Sequence, residues 1–93
     1  MVEEEVRDRF PKSYNELHDF FSKNAISNCN VSTIIYYLDS KKLFIGITTG
    51  DGEDWICELN GLIIDVKDKR VDAEEFCINE ALQIIEKELN KTI

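Results

Sequence analysis

The sequence has little of what metal sites and disulfide frameworks are built from. Its 93 residues include one histidine, His18, and three cysteines, Cys29, Cys57 and Cys77. The cysteines are too far apart to form a C-x-x-C pair, whereas a structural zinc site needs four closely spaced cysteine or histidine ligands. Three cysteines also cannot all pair with one another in disulfides. We therefore expect no metal ion, and free thiols buried as small apolar side chains.

Motifs for catalysis and for cofactor binding are also missing. The four glycines form neither a phosphate-binding loop nor a dinucleotide fingerprint nor a nucleophile elbow. The single histidine has no obvious serine or cysteine partner with an orienting group. The sequence therefore predicts a protein that is not an enzyme and uses no cofactor.

Long hydrophobic runs are absent as well. No apolar run exceeds about five residues, and a membrane-spanning helix needs about 18 or more. The first five residues, Met-Val-Glu-Glu-Glu, lack the basic region of a secretory signal. We expect a cytoplasmic protein that does not bind membranes.

Positive charge is scarce relative to negative charge. Lys and Arg number 11 against 19 Asp and Glu, which gives a formal net charge of −8. Such a field repels nucleic acids and anionic lipids, because both are bound by neutralising phosphate with Lys and Arg. The expected partner is a protein, of basic character, and direct binding of nucleic acid is not expected.

The apolar pattern predicts one domain over residues 1–93 with a helix near each end. Residues 1–12 form a charged lead-in or a short helix. Ser13 and Glu16 have the spacing of a capping box, which predicts that a helix begins at Ser13. The second helix is expected from Asp72 to about Asn90, with an apolar stripe of Ile78, Ala81, Leu82, Ile85 and Leu89.

Between the helices the apolar period of two predicts strands. Residues 33–38 and 43–48 read as one hairpin, and residues 55–59 and 62–66 as a second hairpin turned by Asn60-Gly61. The predicted fold class is α+β, a four-stranded antiparallel meander flanked by N-terminal and C-terminal helices in the order α-β-β-β-β-α.

The predicted registers give the sheet two apolar faces. In the second hairpin Leu59 opposes Leu62, Cys57 opposes Ile64 and Trp55 opposes Val66 on one face, while Ile56, Glu58, Ile63 and Asp65 lie on the other. In the first hairpin Tyr37 opposes Phe44. The second face then gathers apolar side chains, namely Ile35, Tyr37, Phe44, Ile56 and Ile63. A helix of the chain, a second copy or a foreign partner could cover this face.

The loop of residues 49–54 carries three acids, Asp51, Glu53 and Asp54. Carboxylates suit Ca²⁺, but the spacing is not that of an EF-hand, so the loop is interpreted as a solvated connection. With the second sheet face, these acids form the predicted partner-binding surface. The leading hypothesis is an inhibitor or immunity-type protein that blocks a basic, nucleic-acid-handling partner, and the alternative is a homodimerising structural or accessory domain.

Overall fold

A computed structural model describes residues 3–91 as four helices and three strands. In chain order they are α1 (Glu3–Arg9), α2 (Pro11–Lys23), α3 (Val31–Ser40), β1 (Ile45–Thr48), β2 (Trp55–Leu59), β3 (Leu62–Lys67) and α4 (Arg70–Lys91). The α+β class and the antiparallel sheet are confirmed. The four-stranded meander and the order α-β-β-β-β-α are wrong, because residues 3–91 contain three strands in the order β1-β2-β3, preceded by three helices.

The segment predicted as the first strand is helix α3. Its N-terminus has a capping box in which the Thr33 N–H donates to Asn30 Oδ1 at 3.0 Å and the Asn30 N–H donates to Thr33 Oγ1 at 2.9 Å. Ile34, Tyr37 and Leu38 are its buried residues and lie on one side of a helix. The β-branched and aromatic residues of this segment favour a strand. The segment is helical because its N-terminus is capped and its apolar side is buried against the other helices.

Helices α1 and α2 form the N-terminal part of the chain. The short helix allowed for residues 1–12 is present as α1, and it buries Val6. Helix α2 begins at Pro11, so the predicted capping box at Ser13 is wrong. Ser13 instead lies within the first turn of α2 and is buried, and its hydroxyl donates to the carbonyl of Leu82 in α4 at 3.2 Å. Proline suits the first turn because its missing N–H would have no helical partner there.

The predicted hairpin at Asn60-Gly61 is confirmed. Both residues have positive φ, 53° and 81°, as a type I′ turn requires, and Leu59 pairs with Leu62. The predicted pairs of Cys57 with Ile64 and of Trp55 with Val66 are wrong because a bulge intervenes. Glu58 pairs with Ile63 but Cys57 pairs with Asp65, which leaves Ile64 as an extra residue in β3. The bulge reverses the sides expected for Asp65 and Val66.

Helix α4 is the central element of the core. Its predicted apolar stripe is confirmed, because Ile78, Ala81, Leu82 and Ile85 are buried. Its first half packs Ala73 and Cys77 against Cys57 of the sheet, and its second half packs against α2 and α3. Within residues 3–91 no helix is long and apolar enough to cross a membrane.

Candidate protein-binding surface

One face of the sheet packs on α4, and the opposite face lies open. Alternation along the paired strands puts a second set of side chains on that opposite side, which we call the open face: Phe44, Gly46, Thr48, Ile56, Glu58, Ile63 and Val66. Ile63 is 64% exposed and Val66 is 50% exposed. Isolated apolar residues are ordinary at a protein surface, but a cluster on one sheet face is typical of an interaction site.

Phe44 belongs to the open face although it precedes β1. Its N–H donates to Asn60 Oδ1 at 2.7 Å, and its carbonyl accepts from the Asn60 N–H at 2.8 Å, so the pairing of β1 with β2 continues through this residue. Ile45 pairs with Leu59 on the helix side. The next residue back in an extended chain points to the other side. Phe44 is accordingly 54% exposed.

The acidic loop adjoins the open face at one end. A shallow depression there is lined by Gly50, Asp51, Asp54, Ile56 and Val66. Asp51 also shapes the loop, because its Oδ1 accepts from the Glu53 N–H at 2.9 Å and from the Asp54 N–H at 3.1 Å. These backbone hydrogen bonds, from Asp54 and Glu53, lower the pKa of Asp51. Asp51 therefore serves the loop turn, while Glu53 and Asp54 are exposed carboxylates.

Two of the predicted surface residues lie elsewhere. Ile35 and Tyr37 belong to α3, so their predicted strand pairing is wrong. Tyr37 is fully buried, and its hydroxyl donates to Glu16 Oε1 at 2.7 Å. Lys41 forms an ion pair with the same carboxylate. Ile35 packs against the helical core, so both residues join α3 to the rest of the molecule.

The two buried cysteines lie on the helix side of the sheet. Cys57 and Cys77 are both fully buried. Burial raises the pKa of each thiol, that of Cys77 to about 12, where the nearby Cys57 adds to the shift. A thiol held protonated is a poor nucleophile and a poor metal ligand. Among the residues that the structure describes, no group of three or more His, Cys, Asp or Glu is arranged to hold a metal ion.

Strand β3 is an edge of the sheet, and local features limit its pairing with another strand. The Val66 N–H already donates to Asp65 Oδ1 at 2.8 Å. Asp65 also forms an ion pair with Lys67 at 3.1 Å. Bulges and edge charges of this kind discourage the addition of a further strand. The face of the sheet is thus more accessible to a partner than its edge.

Of the predicted partner-binding residues, the structure brings together Phe44, Asp51, Asp54, Ile56 and Ile63, with Glu53 in the same loop. Four residues of the open face were not among them: Gly46, Thr48, Glu58 and Val66. The sequence pattern predicts Val66 on the other face, because nothing in the sequence signals the bulge at Ile64. Glu58 could have been found, since the predicted hairpin already put it between Ile56 and Ile63.

Comparisons of the chain with protein-family models, with curated proteins and with solved structures find no match.

Proposed function

We propose that the protein is a small acidic protein-binding domain with no catalytic role, and that its open face receives the partner. The carrying observation is that Phe44, Ile63 and Val66 are each half exposed or more on one side of a sheet whose other side is covered by α4. An open antiparallel face that needs only to meet water is normally polar. An exposed apolar cluster bordered by acids fits a protein partner.

In its most specific form, the proposal is an inhibitor or immunity-type protein that blocks a basic, nucleic-acid-handling partner. The net charge of −8 and the exposed acids Glu53 and Asp54 beside the open face support a basic partner. Charge complementarity acts mostly on the rate of encounter and on the choice of partner. We place the domain in the cytoplasm, where buried free thiols such as Cys57 and Cys77 stay reduced.

The test is affinity purification from the native host, followed by an activity assay. Wild-type bait is compared with Ile63→Lys, which places a charge on the open face, and with Ile84→Lys, which does the same at an exposed isoleucine on α4. We expect Ile63→Lys to lose the partner and Ile84→Lys to keep it. Stoichiometric addition of the domain should then inhibit the nucleic-acid-handling activity of the purified partner. A partner that is captured equally by both variants and stays fully active would contradict the proposal.

The runner-up function is a homodimerising structural or accessory domain. The observation that favours it is the edge position of β3, where Leu62, Ile63, Ile64 and Val66 are all exposed. Two such strands could pair about a twofold axis. Analytical ultracentrifugation separates the two functions. A wild-type dimer that Ile64→Lys converts to a monomer would favour the homodimer, and a monomer at all concentrations would remove it.

A further inference from the structure

Glu58 lies at the centre of the open face. It is on the middle strand, paired on one side with Gly46 of β1 and on the other with Ile63 of β3. A Cβ atom built on Gly46 would lie 3.3 Å from Glu58 Oε2, which shows that the carboxylate extends across the glycine. Because Gly46 has no side chain, the carboxylate and the space above it stay accessible from the open side.

This carboxylate has no cationic partner within the described part of the chain. Within residues 3–91 no hydrogen bond or ion pair involves the Glu58 carboxylate, and the residue is half buried. Glu16, which is also half buried, instead binds both Lys41 and the Tyr37 hydroxyl. A partner that covers the open face would remove this carboxylate from water, and a buried charge is costly unless it is paired. Such a partner therefore gains from placing a cation at Glu58.

Building on the proposed function, we infer that the open face binds a protein segment that inserts one arginine side chain over Glu58. The apolar neighbours of this arginine contact Ile56, Ile63 and Val66, and Phe44 borders the same face. Arginine fits better than lysine because its planar guanidinium forms two parallel hydrogen bonds with a carboxylate and tolerates apolar surroundings. Arginine is enriched among binding hot spots, which lie in well-packed pockets from which water is excluded.

A second copy of the chain is a poor occupant of the open face. Twofold contact places the same patch on both subunits, so the central Glu58 carboxylates would approach each other. Like charges brought together across an interface oppose association, and each copy already carries a net charge of −8. Pairing at the β3 edge would avoid this contact, but the Val66 N–H is already bound to Asp65 there.

The experiment is a selection of short random peptides displayed on phage against the immobilised wild-type protein. Parallel selections use Ile63→Lys, Glu58→Gln and Glu80→Gln, the last being a matched control because Glu80 is also half buried but lies on α4. We expect wild type and Glu80→Gln to enrich peptides that carry arginine between apolar residues. Selection against Glu58→Gln should lose the arginine but keep the apolar residues, and Ile63→Lys should enrich neither.

A second measurement uses one selected peptide and its copy with citrulline in place of arginine. Citrulline keeps the shape and removes the charge, so its affinity for wild type should fall by about tenfold or more. The same exchange should change the affinity for Glu58→Gln much less, since the two changes are coupled only if the groups touch. Circular dichroism checks that each variant is folded.

The outcomes separate this inference from the function on which it rests. If binding of the selected peptides requires Ile63 but the peptides carry no arginine, the inference is wrong and the binding face remains. The same conclusion follows if selection against Glu58→Gln enriches arginine as strongly as selection against wild type. Enrichment that is unaffected by Ile63→Lys, or no enrichment at all, overturns both.

Discussion

The carboxylate of Glu86 in α4 caps the N-terminus of α2 by accepting the Ser13 N–H at 2.8 Å. The second oxygen of the Glu86 carboxylate accepts a hydrogen bond from the Lys12 N–H at 3.4 Å. Phe10 occupies the N-cap position, and its side chain has no atom that can accept a hydrogen bond from these N–H groups. A residue more than seventy positions away therefore supplies the cap that is normally local. The negative charge also suits the positive end of the helix dipole.

Glu86→Ala should destabilise the fold by about 1–2 kcal/mol, because it removes the cap and the charge together. Glu86→Gln keeps one acceptor oxygen and should cost less. Lys87→Ala is the control, since Lys87 is the exposed neighbour of Glu86 on the same helix. Urea unfolding followed by circular dichroism gives the free energies. Equal losses for Glu86→Ala and Lys87→Ala would contradict the capping role.

Tyr37→Phe should cost about 1–3 kcal/mol, because the lost hydroxyl donates to a charged group. The bond to Glu16 is 2.7 Å long and Tyr37 is fully buried. Tyr36→Phe is the matched control, since Tyr36 is 52% exposed on the same helix. The two variants are compared by denaturant unfolding. If their stabilities are indistinguishable, the hydrogen bond contributes nothing to folding.

The Glu16 carboxylate should make stability dependent on pH. Burial raises its pKa, but hydrogen bonds from Lys41 and Tyr37 lower it by more, so the net pKa lies below the ordinary value of 4.5. A carboxyl group with a depressed pKa in the folded state stabilises the protein above its unfolded pKa, and this stabilisation is lost as the pH falls through the folded value.

Wild type should therefore exceed Glu16→Gln in unfolding free energy by a constant amount above pH ~5, and the difference should shrink below pH ~4.5. Unfolding curves for both proteins across this range are the measurement, and Glu4→Gln, a change at an exposed acid of α1, is the control. A difference between wild type and Glu16→Gln that does not change with pH would show that the ion pair with Lys41 does not stabilise the fold.

Native Cys57 and Cys77 should resist a thiol reagent, because both are buried and their pKa values are raised. Cys29 is partly exposed and should be labelled first, although burial also raises its pKa. All three should react at once in denaturant. Mass spectrometry of timed samples identifies each labelled residue. Labelling of Cys57 as fast as that of Cys29 would refute its role as a core side chain.

Phe44→Ala should change stability by less than about 1 kcal/mol, as expected for a surface position. Phe21→Ala, the matched control in the helical core, should cost about 3–5 kcal/mol because Phe21 is 4% exposed. Unfolding measurements compare the two, and sedimentation shows whether either change alters assembly. A loss at Phe44 as large as that at Phe21 would mean that Phe44 is a core residue and not part of a binding face.

Local patterns fixed part of the fold correctly. Asn60-Gly61 encodes its turn because both positions require positive φ. The stripe from Ile78 to Leu89 encodes a helix through its spacing. Part of the partner-binding surface can be predicted in the same way, because the Asn60-Gly61 turn sets the hairpin in which Ile56, Glu58 and Ile63 share one face.

Other features depend on contacts between distant residues. The segment from Val31 to Ser40 has a composition that suits a strand and a local cap, at Asn30 and Thr33, that suits a helix. It is helical because its apolar side is buried against the other helices and Tyr37 reaches Glu16 of α2. The bulge at Ile64, which no local pattern signals, moves Val66 to the open face.

The sequence by itself determined the acidic charge, the two-residue turn and the C-terminal helix, because composition and spacing between near neighbours specify each of them. Only the tertiary structure decided that residues 31–40 are a helix, that Glu86 caps α2 and that one sheet face is open. These outcomes depend on which surfaces pack together, and local propensities of a few tenths of a kcal/mol per residue are outweighed by burial worth about 1.5–3 kcal/mol per large apolar side chain.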